Sequence, residues 1–217
     1  MRAAMTVLVA VGLTHLAAQW FGIGPVAEVT QVLLMPLLAL ALWSGTSAPR
    51  VLLVRLTVIA LGFSWLGDTI PRFVGGEPGF LGMLGSFLVA QLIYAVAIWP
   101  WRLESLLRRP QVASIYLLVA LVIVMLSARG AGMLLPAVVV YAVAIFAMSL
   151  LASGLGRLGT IGGAVFVVSD SLIALDAFGV LTLPAHSVWV MATYLTAQVL
   201  LVLAVRRAAG AVPVTRL

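Results

Sequence analysis

Cysteine and lysine are both missing from the sequence, and every basic residue is an arginine. Without cysteine there are no disulfides, no thiolate metal ligands and no cysteine nucleophile, and the redox compartment stays open. Without lysine there is no amine for a retinal-type Schiff base, so a rhodopsin-like function is excluded by chemistry. Charge of either sign is scarce, at 8% of residues, against 64% hydrophobic residues. A water-soluble domain of this length could not keep that composition off its surface, so the chain reads as an integral membrane protein. The positive balance does not indicate nucleic acid, because the arginines are scattered over short connections and both ends rather than gathered with aromatics on one polar face. Phospholipid headgroups are their expected counter-charge.

Crossing about 30 Å of hydrocarbon takes roughly 20 apolar residues. Eight stretches qualify: Ala3 to Phe21, Pro25 to Ser44, Val51 to Ile70, Gly79 to Trp99, Gln111 to Ala128, Met133 to Leu151, Thr160 to Phe178 and His186 to Arg206. The breaks between them are rich in Gly, Pro and Ser, as turns require. The first stretch is long for a signal core and no Ala-x-Ala cleavage pattern follows, so it is expected to be a retained span. The expected fold is all-α: a polytopic bundle of eight transmembrane helices forming one domain over residues 1–217.

With eight spans both ends share a side. That side collects Arg2, Arg50, Arg102, Arg108, Arg109, Arg157, Arg206, Arg207 and Arg216, and the other has only Arg72 and Arg129. The positive-inside rule then puts both termini in the cytoplasm, with a bacterial inner membrane as the expected location. Trp20, Trp43, Trp99, Trp101 and Trp189 fall near span ends, where indole anchors at the interface. Arg55, one turn inside the third span, can snorkel to the headgroups.

The seventh and eighth stretches carry the sequence's most unusual chemistry. Asp170 stands between Ser169 and Ser171 in an otherwise apolar run, and Asp176 follows within two turns. A charged side chain deep in a spanning helix is disfavoured by at least about 2.5 kcal/mol, so its default reading is a functional group facing the bundle interior. The plainer reading is a hydrogen-bonded Asp that ties two helices together. Asp68, on one face with Ser64, lies near the outer end of the third span, and Glu28 begins the second span on the same side. Residues three, four and seven apart share a helix face. Phe87, Gln91 and Tyr94 make one such stripe, Met191, Tyr194 and Gln198 another, and His15 and Gln19 a shorter one. These groups avoid lipid, and either bridge helices or orient a polar substrate. His186 adjoins a loop and is expected to cap or sit at the interface. A catalytic zinc takes three protein ligands, and only two histidines exist, on the first and last spans, so no metal and no other cofactor is expected. The patterns Gly82 to Ser86 and Gly159 to Gly163 permit close helix approach.

Taken together, MPL at Met35 to Leu37, LGD at Leu66 to Asp68, FLVAQLIY at Phe87 to Tyr94, GGAVFVVSDSLIALDAF at Gly162 to Phe178 and MATYLTAQVL at Met191 to Leu200 make the chain similar to the YhhN-like family of membrane proteins. Characterised members of that family are lysoplasmalogenases. The resemblance covers nearly the whole chain, with two departures: Met35 stands where a Lys is common, and Gln91 where a His is common. It implies hydrolysis of the vinyl ether of a lysoplasmalogen, a single-chain phospholipid, to a fatty aldehyde and glycerophosphoethanolamine or glycerophosphocholine. Protonating an enol ether at carbon calls for one carboxylic acid and one carboxylate, the division of labour seen on glycosides. Asp170, away from water, is the expected acid and Asp68 the expected base, and the two roles are exchangeable. Asp176, Gln91, Tyr94, Tyr194, Gln198, Ser169, Ser171 and Glu28 are the expected substrate-binding residues. Two other classes compete. A carrier would use the aspartates to bind a cation or headgroup amine, and a structural subunit would use buried polar groups only to fix helix register.

Overall fold

The computed structural model describes residues 2–211. Arg216, counted above toward orientation, lies outside them. The described residues form eight α-helices and no strand: α1 (Arg2–Trp20), α2 (Gly24–Ser44), α3 (Leu52–Phe73), α4 (Gly76–Ile98), α5 (Pro110–Ala131), α6 (Leu135–Ala152), α7 (Arg157–Ala177) and α8 (His186–Ala211). Short 3-10 turns occupy Trp99–Glu104, Leu106–Arg108, Gly132–Leu134 and Ser153–Leu155. Seven helical stretches are long and apolar enough to cross a membrane, and one of them, Pro110–Leu155, joins α5 and α6 into 46 residues. The backbone turns inside that stretch at Gly132, whose φ is 50°, and α5 packs back against α6.

The helix starts follow local chemistry. Pro25, Pro110 and Pro136 each sit in the first two positions of their helices, where the missing N–H would have had no partner anyway. Five ends lie three or more residues from the sequence expectation: the starts of α4 and α7 and the ends of α3, α5 and α8. α3 continues through Pro71 to Phe73, because a proline near the end of a helix removes only one backbone bond. α8 runs past Arg206 to Ala211, since the alanine-rich segment is a good helix former and the arginines mark the edge of the apolar run rather than the end of the helix.

The described residues fall into two compact units, 2–97 with 202–211, and 98–201. In the first, α1 packs on α2 and α2 on α3. Trp65 helps hold the second pair, its indole N–H donating to the Val32 carbonyl at 3.0 Å. Glycine brings α3 and α4 together: a Cβ on Gly67 would stand 2.7 Å from the Phe87 ring, and one on Gly82 2.7 Å from Ile70.

In the second unit α7 carries two glycine seams. A Cβ on Gly162 would lie 3.1 Å from Leu200 and Leu201 of α8, and one on Gly163 2.8 Å from the Ser149 hydroxyl of α6. Two helical turns further on, the same two faces carry Ser169 and Asp170. Ser169 accordingly donates to the Val190 carbonyl of α8 at 3.0 Å, and Asp170 meets α6.

Large apolar side chains are exposed on most helices, among them Leu13, Val29, Ile59, Val96, Leu117, Met125, Val143 and Val168. Such a surface suits hydrocarbon and not water, which makes the chain an integral membrane protein. Two of the tryptophans at helix ends carry an arginine beside the ring. The Arg50 guanidinium stacks 3.8 Å over the Trp43 ring and that of Arg102 lies 5.0 Å from the Trp99 ring, pairings that suit the headgroup level.

Candidate functional site

Asp170 is half-buried in α7, roughly 10 Å from the Ala177 end at about 1.5 Å per residue. One of its oxygens, Oδ2, accepts a hydrogen bond from the Tyr141 hydroxyl of α6. The pairing follows from register. α6 and α7 are joined by a short turn, and Gly163 against Ser149 brings their backbones close enough for a phenol to span the seam. Tyr141 was not among the sequence candidates. Its signal was nonetheless present, because it is the one strongly polar side chain between Leu135 and Phe146, and a phenol in such a run needs a partner.

The neighbouring serines divide. Ser169 is fully buried and its hydroxyl is engaged by the α8 backbone, whereas Ser171 is half-buried on the opposite side of Asp170. Farther along, Asp176 is exposed and accepts from the Thr182 hydroxyl. His186 Nε2 stands 3.9 Å from Asp176 Oδ2. The His186 Nδ1 accepts the Leu183 backbone N–H at 3.4 Å. His186 thus organises the turn between α7 and α8, as its place beside a loop led one to expect, and Asp176 belongs to that turn rather than to the Tyr141–Asp170 pair.

On α8, Tyr194 and Gln198 are almost fully buried, and the Gln198 amide donates to the Tyr194 hydroxyl at 3.4 Å. The Tyr194 ring also meets Phe166 edge to face, 5.7 Å between centroids. The stripe therefore faces inward.

In the first unit, Asp68 is half-buried near the end of α3 and has polar company. Tyr94 and Gln91 of α4 are both fully buried, and neither the nitrogen nor the oxygen of the Gln91 amide has a partner. Glu28 is exposed. A cavity of about 590 Å³ opens beside Gly45–Val51 and Arg206–Arg207. Its lining is basic and holds no carboxyl, so it offers nothing to a reaction that begins with proton donation. Among the described residues no three His, Cys, Asp or Glu side chains come together as a metal would require.

The chemistry available at Asp170 is that of a carboxyl whose two oxygens are not equivalent. Tyr141 donates to Oδ2, so a proton held by the group belongs on Oδ1. A family model, that of the YhhN family, matches residues 26–205. No curated protein and no solved structure matches the chain.

Proposed function

This chain belongs to the YhhN family, and we propose that it is a lysoplasmalogenase-type hydrolase that cleaves the vinyl ether of a single-chain phospholipid within the membrane. The observation that carries the reading is the Tyr141–Asp170 pair, a carboxyl kept inside an apolar helix seam at an energetic disadvantage and held by one oxygen only. Division of the α5–α6 stretch at Gly132 gives eight crossings in this proposal. With eight, the arginine-rich ends face the cytoplasm.

The reaction balances on one carboxyl. Asp170 gives its Oδ1 proton to the vinyl carbon remote from the ether oxygen, forming a C–H bond from the π electrons and leaving an oxocarbenium ion. Water adds to the cationic carbon and returns a proton to the carboxylate. The hemiacetal then breaks its C–O bond to give the aldehyde and the glycerol hydroxyl. Tyr141 touches the acid rather than the lipid and is a positioning residue, fixing which oxygen carries the proton. Asp68 enters from its residue type, as the candidate for a separate carboxylate acting on the water.

The test is purified protein with a 1-alkenyl lysophospholipid in D₂O, read by mass spectrometry. Equimolar aldehyde and glycerophospho product are expected, with one deuterium at the aldehyde carbon next to the carbonyl. Absence of both products would reject the reading, and proton-coupled lipid uptake without product would favour a carrier. Y141F is expected to lower kcat about tenfold with KM little changed, since the acid keeps its proton but loses its orientation. An unchanged kcat, or a loss confined to KM, would remove Tyr141 from that role.

A further inference from the structure

One polar cluster in the first unit takes no part in this chemistry. His15 and Gln19 share a face of α1, Thr30 and Gln31 lie on α2, and Arg72 is in the last turn of α3. The His15 ring is completely buried. Its Nδ1 stands 3.1 Å from the Ala27 carbonyl and 3.0 Å from the Thr30 hydroxyl. A carbonyl oxygen only accepts, so Nδ1 carries the hydrogen. In the neutral ring Nε2 is then a bare lone pair, and it is buried without a partner. Gln19 Oε1 is a second buried acceptor with no partner. Arg72 donates from one terminal nitrogen to Gln31 Oε1, yet its buried Nε–H has nothing to bond. Gln31 directly follows Thr30, the residue that meets His15, so Arg72 and His15 both engage the same turn of α2.

Each such atom left bare is unfavourable by about 1–3 kcal/mol, and a charged donor by more, so three on α1 and α3, both packed on α2, ask for something to satisfy them. What they ask for is specific. A metal cation is repelled by Arg72, and a plain anion such as sulfate offers nothing to the two acceptors. A molecule carrying an anionic oxygen and a hydroxyl answers both kinds of group. The cluster also sits close to the Trp20 and Phe73 helix ends, whose aromatic side chains are 63% and 83% exposed, as at a headgroup boundary.

We propose that this end of α1, α2 and α3 binds a hydroxyl-bearing phosphate ester, with a phosphate oxygen accepting from Arg72 Nε and the hydroxyl donating to Gln19 Oε1 or His15 Nε2. The donors and acceptors of this site call for such an ester whether or not the chain is a hydrolase.

Binding is measured by calorimetry on the purified full-length protein in micelles, with 1-acyl lysophosphatidylcholine, whose ester is not a vinyl ether, as the probe. This lipid is expected to bind about tenfold more tightly than monoacylglycerol, which lacks the phosphate, and more tightly than its 2-deoxy analogue, which lacks the hydroxyl. Arg72→Gln should erase the first preference and Gln19→Leu the second, while Asp170→Asn keeps both. Competition by sn-glycerol 3-phosphate at similar concentration would identify a soluble ester as the ligand, and lack of competition a lipid. Equal binding of all three lipids by the unmodified protein overturns the proposal without any variant having to fold, and leaves ordered water as the occupant. Phosphate and hydroxyl preference without turnover would sustain the site and sink the hydrolase; turnover without the preference would do the reverse.

Discussion

D170N protein is expected to release aldehyde from a 1-alkenyl lysophospholipid about 10²–10⁴-fold more slowly than the unmodified protein, the range spanned by loss of a positioned general acid. Asn is the informative replacement. It is nearly isosteric with Asp, and its carbonyl can still accept the Tyr141 hydroxyl, so the α6–α7 seam loses little. What it lacks is an acidic proton. Helix content by circular dichroism and the thermal melt should therefore stay close to those of the unmodified protein while turnover collapses. Full turnover by D170N would end the acid assignment. A melt that falls with turnover would return Asp170 to the plainer role of a helix tie. D68N is the natural comparison. Loss of turnover there, with the fold intact, would make a second carboxylate part of the reaction, and retention would leave Asp170 to act first as acid and then as base.

Most of the fold was legible in the sequence because lipid imposes a strong rule: apolar runs of spanning length separated by turn-forming residues are hard to misread. The errors fall where helix and membrane edge part company, as at Arg206, where apolarity stops and the helix does not. Asp170 was legible for the same reason in reverse, being the wrong residue type for its surroundings. Its partner was not. A tyrosine is amphipathic enough to pass as apolar filler, and only the register between α6 and α7 decides whether its hydroxyl meets a carboxyl. The His15 cluster shows a similar limit. Spacing put His15 and Gln19 on one face, but Arg72 counted in the sequence only as a charge on one side of the membrane. Its neighbours Gln31 and His15 come from helices that the sequence order does not align.

G163V carries the largest expected effect on stability, and it bears on the site as well. At Gly163 the backbones of α6 and α7 approach closely: a Cβ there would lie 2.9 Å from the Ser149 carbonyl oxygen and 3.0 Å from its Cα, and backbone cannot move aside as a side-chain tip can. Overpacking of this kind is unfavourable by about 1–3 kcal/mol, and valine adds two methyls beyond the Cβ, so the upper end applies. The helices must separate at Gly163, and two turns away the Tyr141 hydroxyl loses its reach to Asp170. The variant should melt well below the unmodified protein and lose turnover by at least the factor expected for Y141F. G85V is the control, because nothing lies within 4 Å of a Cβ at Gly85, and it should leave both quantities near their original values. Equal melting and turnover in G163V and G85V would mean that the glycine seam sets neither the spacing of α6 and α7 nor the geometry of the carboxyl.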